Sequence, residues 1–338
     1  MNTQERTIAW VGGDFFMGHM QAQGFRTVRL PLTKPQALSY DEIVRHCGCE
    51  PDAVVYTDRS LPPPLLGVER FPCLTAFYCI DSHIHSWYPL YAGAFDLCAV
   101  SLRDHVAAFA RELSPSRVLW LPPGASEYYQ PSQVQKDFDL LFVGTVDPET
   151  TPQRCDFLKR LGALVPGLAV RRGDFSKLLP RAKVVLNIAE RGDLNFRVFE
   201  ALACGSCLLT PGLAHGQDEL FEAGRHLATY EADNEADCAA QARALLADDA
   251  RREALAREGL ALVDAAHRTE HRAAALAGLL RQGFDDQLAR QRLAAPNAAR
   301  SASLRLLWLH WAEHCGDAAL AARYLAEARR LGKRETRP

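Results

Sequence analysis

The apolar residues of this chain fall in short runs of strand length, and most of the text between them has helical spacing. In the first third the runs are TIAWV (7–11), FRTVRL (25–30), AVVYT (53–57), LTAFYCI (74–80), FDLCAV (95–100) and RVLWL (117–121). YDEIVRHC and RDHVAAFARELS read as helices between some of them. A strand that is apolar along its whole length must be covered on both faces, which is the condition of a parallel sheet crossed by helices. The alternation restarts at FDLLFVG (138–144) and runs through LAVRR (168–172), KVVLNI (183–188), SCLLT (206–210) and HLATY (226–230). Helices are expected near 152–164, 195–204, 216–223 and 234–247. The pattern predicts an α/β protein made of two successive units of similar size.

The text between the units is turn-rich: Pro122-Pro123-Gly124, then Tyr128-Tyr129-Gln130-Pro131, a candidate hinge. After about residue 250 the sequence turns Ala-, Arg- and Leu-rich with helical periodicity and no strands. Residues 304–332 divide at Gly316-Asp317 into two amphipathic helices of the tetratricopeptide type. One such hairpin has no neighbours with which to build a solenoid, so it is expected to pack on the body of the protein. The 338 residues suit two domains of about 150 residues with a remainder. The boundaries expected are 1–128, 137–280 and a helical extension over 281–338.

Composition removes several classes of function. At 48% hydrophobic and 24% charged, the chain can bury a core, which excludes disorder as its dominant state. Its apolar runs fall far short of the roughly 18 residues a membrane helix needs. Lys and Arg number 39 against 41 Asp and Glu, for a net charge of −2, so no broad basic face for nucleic acid is expected. The basic end RRLGKRETRP reads as a solvated terminus; contact with a membrane surface is the alternative. The opening MNTQERTIAWVGG lacks a basic region followed by an apolar stretch, so no secretory leader and a cytoplasmic location are expected. Most of the ten cysteines sit in apolar text and read as small, reduced, buried side chains. Cys204-Gly-Ser-Cys207 has no second pair at zinc-like spacing, so no metal is expected there.

Ligands of such folds bind at the carboxyl ends of parallel strands, and four segments fall there. Gly12-Gly13 follows the first strand and could let the backbone approach a phosphate. Asp81-Ser-His83-Ile-His85-Ser-Trp87-Tyr88 follows LTAFYCI and concentrates imidazoles, a carboxylate and aromatic faces suited to a sugar. Helix-cap and packing roles are the plainer alternative for it. Gly144-Thr145 ends FDLLFVG, and Arg154 opens the next helix within reach of an anion. Asp137-Phe-Asp139 spells a metal-nucleotide DxD but begins a strand, so it reads as strand-edge polarity.

The fourth segment is the most informative. It contains Asn187, then Arg191-Gly-Asp193-Leu-Asn195-Phe-Arg197-Val-Phe-Glu200-Ala-Leu-Ala-Cys204-Gly205. Asn195 is a good N-cap and Gly205 a good stop. Helical spacing puts Val198, Phe199 and Leu202 on one face, and Arg197, Glu200 and Cys204 on the other. A cation in the first turn with a carboxylate one turn on suits a diphosphate and a ribose; an ordinary i,i+3 ion pair is the plainer reading.

NFRVFEALACGSCLLTPG resembles the donor-binding helix of two-domain (GT-B) glycosyltransferases, with its Glu-Ala-x-Ala-x-Gly pattern. Residues 216–227 resemble the segment after the strand that follows, and His267-Arg-Thr-Glu-His271-Arg272 resembles the family's H-T-x-x-H-R helix start. With FDLLFVGT and IDSHIHSWYPLYAGAFDLCAVS, the nearest group is the CgeB-like glycosyltransferases. The likeness covers roughly residues 75–280.

The resemblance implies two Rossmann-like domains facing a cleft, the first on the acceptor side and the second holding the donor. It implies transfer of a sugar from a nucleotide-diphosphate sugar to a glycan or protein acceptor, without metal or other cofactor. Glu200 falls at the ribose position; Arg197, Asn195 and Arg154 are candidates for the diphosphate, with Gly12-Gly13 facing it. Asp81, His83 and His85 would lie near the reacting sugar, and Arg197 would stabilise the leaving group. Many retaining members carry an acid eight positions before the ribose glutamate; here that position is Gly192, with Asp193 and Glu190 beside it. Hexosyl transfer with retention is the favoured expectation, and this departure leaves the outcome open. A degenerate sugar-nucleotide-binding module acting through its helical tail and a nucleotide-sugar epimerase of the same fold are the alternatives.

Overall fold

The computed structural model describes residues 5–189, 191–295 and 298–332. The chain divides into two compact units, one of Met1–Leu121 with Ala273–Pro338 and the other of Pro122–Arg272.

The first unit holds a parallel sheet of β1 (Arg6–Gly12), β2 (Phe25–Leu30), β3 (Ala53–Thr57), β4 (Leu74–Cys79), β5 (Leu97–Val100) and β6 (Val118–Trp120), in the order β2-β1-β3-β4-β5-β6. Its first helices are α1 (Tyr40–Cys47), α2 (Tyr88–Ala92) and α3 (Val106–Glu112). Ser39 and Glu42 form a reciprocal capping box at the start of α1, and Gly48 stops it in a left-handed conformation.

The second unit holds β7 (Phe138–Val143), β8 (Leu168–Arg171), β9 (Ala182–Leu186), β10 (Cys207–Pro211) and β11 (Ala228–Tyr230), parallel in the order β11-β10-β9-β7-β8. Its helices are α4 (Pro152–Leu164), α5 (Phe175–Leu178), α6 (Phe196–Ala203), α7 (Gln217–Leu220), α8 (Glu235–Ala247) and α9 (Asp249–Ala266). The helix expected over 216–223 is a single turn. Helix α10 (Thr269–Asp285) begins in this unit and runs into the first, where α11 (Leu288–Ala294), α12 (Ala298–His314) and α13 (Ala318–Gly332) follow.

Both sheets begin with the same winding: the second strand lies outside the first, and the third pairs with the first on its other side. The order reverses between β1 and β3 in one unit and between β7 and β9 in the other. The loops leaving those strands diverge, which opens a crevice at their carboxyl ends.

The C-terminal helices explain why the first unit's strands are apolar throughout. Ala9 and Val11 face a core completed by Leu304, Leu307 and Trp308 of α12 and Leu320, Tyr324 and Leu331 of α13. Ile8 and Trp10 point the other way, into a core completed by Ala273, Leu276, Ala277 and Leu280 of α10. The hairpin at Gly316-Asp317 thus packs on the body, as expected, but the extension is an integral face of the first unit. The compact units change over at 121/122 and 272/273 instead of at 128–137 and 280. Periodicity along the chain shows where helices lie, not which sheet they cover. Of the basic terminus, residues 333–338 lie outside the described residues.

Candidate functional site

The crevice of the second unit lies where β7 and β9 end. Gly144 follows β7 directly, and its N–H donates to the Arg171 carbonyl at 3.0 Å. A Cβ there would meet the Phe142 ring at 2.9 Å, so glycine lets the chain turn against its own strand. Arg154, in the first turn of α4, reaches back over the Phe142 ring (5.8 Å) and donates from Nη1 to the Thr145 carbonyl at 2.9 Å.

Arg197 comes to the same turn from α6. Its Nη1 donates to the Val143 carbonyl at 2.5 Å, its Nε to Glu200 Oε2 at 3.2 Å, and its guanidinium lies 3.8 Å over the Phe175 ring. The i,i+3 pair of the plainer reading is therefore made. It is not a solvated one, because the side chains of Arg197 and Glu200 are each only 14% exposed. Burial pushes the Arg197 pKa down, Glu200 opposes that shift, and the charge of Arg154 adds to it. Two guanidiniums thus stand at the mouth of β7, with Arg197 paired to Glu200 and Arg154 bonded to the Thr145 carbonyl, and the cluster favours an incoming anion.

The face expected to carry Arg197, Glu200 and Cys204 is covered as well, with Cys204 2% exposed. Asn195 holds the N-cap position with extended backbone, but its side chain makes no cap bond. Its Oδ1 is buried without a hydrogen-bond partner, an acceptor suited to a hydroxyl rather than to a phosphate oxygen. Asn187 is placed differently from its expectation: it is 2% exposed and fastens strands together. Its Nδ2 donates to Thr210 Oγ1 at 3.0 Å, and Tyr230 Oη donates to its carbonyl at 2.9 Å. Gly192 sits at φ +74°, where a carboxylate-bearing residue would be strained, and Glu190 lies outside the described residues. Asp137 and Asp139 pair with Arg181 and Lys183, as strand-edge residues do.

The first unit's crevice is laced shut at the same level. Gly12 is at φ +109°, and a Cβ on it would stand 2.0 Å from the Thr57 carbonyl oxygen. The Gly13 N–H donates to that carbonyl at 3.3 Å, while the Gly13 carbonyl accepts from Trp10 Nε1 and Thr57 Oγ1, each at 2.6 Å. The Gly13 amide expected to await a phosphate is spent within the protein, and a 3-10 turn over Met17–His19 follows in place of a longer helix. The pair is a strand-to-strand clasp.

Asp81, His83 and His85 lie in the turn between β4 and α2, whose start is bonded to a carboxylate that the sequence reading missed. Asp58 is 2% exposed and accepts from the N–H groups of Ser60 (2.8 Å), Ile80 (3.1 Å) and Asp81 (2.8 Å) and from Tyr88 Oη (2.5 Å). Burial raises its pKa against those hydrogen bonds. Its signal was an aspartate directly after the buried run AVVYT. The carbonyl of Asp81 accepts from the N–H groups of Ile84 and His85, His85 Nε2 meets Ser60 Oγ at 2.7 Å, and His83 Nδ1 is buried without a partner. Among the described residues no group of three His, Cys, Asp or Glu side chains could hold a metal ion. All ten cysteines are free, and burial pushes the thiols of Cys204 and Cys207 up to about 12.

His267-Arg268 and Arg272 hold the start of the second unit. Arg272 donates from Nε to the carbonyls of Pro122 (2.8 Å) and Pro123 (3.1 Å), and from Nη1 to Ala266 (3.1 Å). Arg268 donates from Nη1 to the carbonyls of Ser126 (3.2 Å) and Tyr129 (2.6 Å). The candidate hinge Pro122–Gly124 is buried and bonded.

Solved structures of the same architecture set this geometry in a wider group. HepE of Anabaena, crystallised with UDP-glucose, is 10% identical, with a TM-score of 0.61 over 82% of this chain and 100% of that one. Sucrose-phosphate synthase of Thermosynechococcus elongatus is 12% identical, with a TM-score of 0.56 over 83% of this chain and 100% of that one. A glycosyltransferase of Rickettsia africae is 10% identical, with a TM-score of 0.55 over 86% and 99%.

The fold is GT-B. Within it, residues 154–278 match the family model described as glycosyl transferase-like. That segment of the GT-B chain begins at Arg154, includes Arg197 and Glu200, and ends past Arg272. No curated protein matches this sequence.

Proposed function

We propose that this GT-B chain is a glycosyltransferase whose second unit holds a nucleoside diphosphate sugar. The observation that carries the reading is the pair of guanidiniums at the end of β7, with Glu200 beside them. Arg197 and Arg154 take the diphosphate, Glu200 accepts from ribose hydroxyls, and Asn195 Oδ1 accepts from a hydroxyl of the donor. As the bond from the anomeric carbon to the diphosphate lengthens, negative charge grows on the leaving oxygen and oxocarbenium character on the sugar. Fixed cations at that oxygen stabilise the transition state more than the ground state. The arginines supply that charge in our reading, so the transfer is metal-independent and uses no cofactor.

In the first unit, the turn carrying Asp81, His83 and His85, braced by Asp58, is assigned to the acceptor, a glycan or a protein. The UDP and UDP-glucose in the HepE structures make UDP-glucose the first donor to test. Hexosyl transfer with retention and membership of a CgeB-like subgroup are part of the same proposal, drawn from the resemblance over residues 75–280. Among the described residues no helix is long and apolar enough to cross a membrane.

Calorimetric titration with UDP, GDP, dTDP and CDP, with donor hydrolysis followed in parallel, tests the reading. Binding of one nucleotide with slow release of its sugar is expected. Conversion of the donor sugar without acceptor would indicate an epimerase, binding without turnover toward any acceptor a binding module, and no binding at all would end the proposal.

A further inference from the structure

Helix α1 ends in the run His46-Cys47-Gly48-Cys49. Cys47 is its last residue, and Gly48 stops it at φ +70°, the Gly48 N–H donating to the Val44 carbonyl at 2.9 Å. Two residues apart, the Cα atoms of Cys47 and Cys49 stand no more than about 7 Å from one another even on a fully extended chain. A left-handed turn at the glycine between them shortens that separation into the range a disulfide spans. Both thiols are free and half-buried, as are those of Cys155 and Cys315, whereas the remaining six are buried. A small oxidant in water therefore meets four thiols, and only Cys47 and Cys49 are neighbours along the chain.

Their surroundings differ. Cys49 Sγ accepts from Arg26 Nη2 of β2 at 3.4 Å, and Arg26 is steadied by its Nε, which donates to Thr7 Oγ1 at 3.3 Å. A guanidinium is a fixed positive charge, and it supports negative charge on the sulfur it touches. Cys47 has the opposite setting: it sits at the carboxyl end of a helix, where the dipole opposes negative charge, and burial pushes its thiol up. Cys49 is thus equipped to attack and Cys47 to follow.

We propose that Cys47 and Cys49 form a peroxide-reactive dithiol, in which Cys49 is oxidised first and Cys47 closes a disulfide across Gly48. The Cys49 thiolate gives an electron pair to one oxygen of hydrogen peroxide; the S–O bond forms, the O–O bond breaks, and hydroxide leaves to take up the proton that Cys49 released. Cys47 then attacks the sulfenic sulfur, giving up its own proton; the S–S bond forms, the S–O bond breaks, and the departing hydroxide takes that proton. Two thiols are oxidised by two electrons in all, and one peroxide becomes two waters. Arg197 and Glu200 have no part in these steps, so the dithiol stands independently of the nucleotide reading.

The test treats the full-length wild type with hydrogen peroxide, blocks the remaining thiols with iodoacetamide, and reads tryptic peptides by mass spectrometry. Cleavage after Arg45 and Arg59 releases His46–Arg59, which contains Cys47 and Cys49 and no other cysteine. This peptide should become lighter by two hydrogens and unreactive to iodoacetamide before the peptides of Cys155 and Cys315 change, and dithiothreitol should restore both thiols. Cys47→Ser should leave Cys49 as a sulfenic acid that dimedone captures, while Cys49→Ser should leave Cys47 unmodified. Arg26→Gln should slow disulfide formation about three- to tenfold, the worth of one exposed hydrogen bond. Retention of both thiols in His46–Arg59 while Cys155 or Cys315 is oxidised, capture of Cys47 in place of Cys49, or a wild-type rate in Arg26→Gln overturns the proposal.

Discussion

Arg197 and Arg154 grip one turn from two sides: Arg197 Nη1 donates to the Val143 carbonyl and Arg154 Nη1 to the Thr145 carbonyl, with Gly144 between them. The backbone of the turn holds two cations that would otherwise repel. Arg197→Ala should weaken UDP binding about ten- to hundredfold, the range of a charge-assisted contact. Arg197→Lys should recover little, since an ammonium cannot lie flat on Phe175 while donating to Val143 and Glu200 together. Calorimetric titration measures both; near-normal binding by the alanine variant would remove Arg197 from the site.

Arg272 is 7% exposed and bonds the carbonyls of Pro122, Pro123 and Ala266. Arg272→Leu strands several buried acceptors at once, and a loss of about 3 kcal/mol or more is expected in urea unfolding of the full chain. An unchanged midpoint would mean that water replaces the guanidinium.

His267 sets a pH dependence. Burial first, and then the charge of Arg272, hold its pKa down from 6.5 to about 3, while the unfolded chain restores the ordinary value. The native state therefore binds fewer protons between those limits. Stability from this residue is complete above about 6.5 and is lost as pH falls toward about 3, at up to about 1.4 kcal/mol per pH unit. Urea midpoints between pH 7.5 and 5 should fall, and His267→Gln should flatten the slope.

Arg292 of α11 donates to Asp96 from Nε (2.8 Å to Oδ1) and from Nη2 (3.2 Å to Oδ2). The two side chains are 2% and 0% exposed. Arg292 also donates to the carbonyls of Val68, Phe71 and Cys73, and Asp96 accepts from Thr75. Removing one partner leaves a buried charge, so Arg292→Met should cost about 3–5 kcal/mol, measured by thermal or urea unfolding. A chain ending at Gln287 should fare worse, losing this pair and the α12–α13 face of the sheet together; a wild-type melting temperature for it would show the tail to be dispensable.

Legibility followed the range of the interaction. The runs AVVYT and LTAFYCI announced strands buried on both faces, and YDEIVRHC announced a helix, because such signals lie within one element. Arg197 and Glu200 were readable as a pair because a helix brings i and i+3 together. Asp58 escaped because its partners, Tyr88 and the N–H groups of residues 60, 80 and 81, arrive from other loops. Gly12 and Gly13 misled for the same reason: two glycines after a strand fit a phosphate loop until Thr57, across the sheet, is seen to use the Gly13 amide.

The sequence by itself determined the α/β class, the order of strands and helices, and the residues of α6 that carry charge, since apolar periodicity and i,i+3 spacing are properties of a chain segment. Only the tertiary structure decided that residues 273–332 complete the first unit, that its crevice is closed by Gly13 and Thr57, and that the second carries the guanidiniums of Arg197 and Arg154. Those outcomes depend on which distant side chains meet when buried polar groups must find partners and apolar faces must be covered, and spacing along the chain does not encode that.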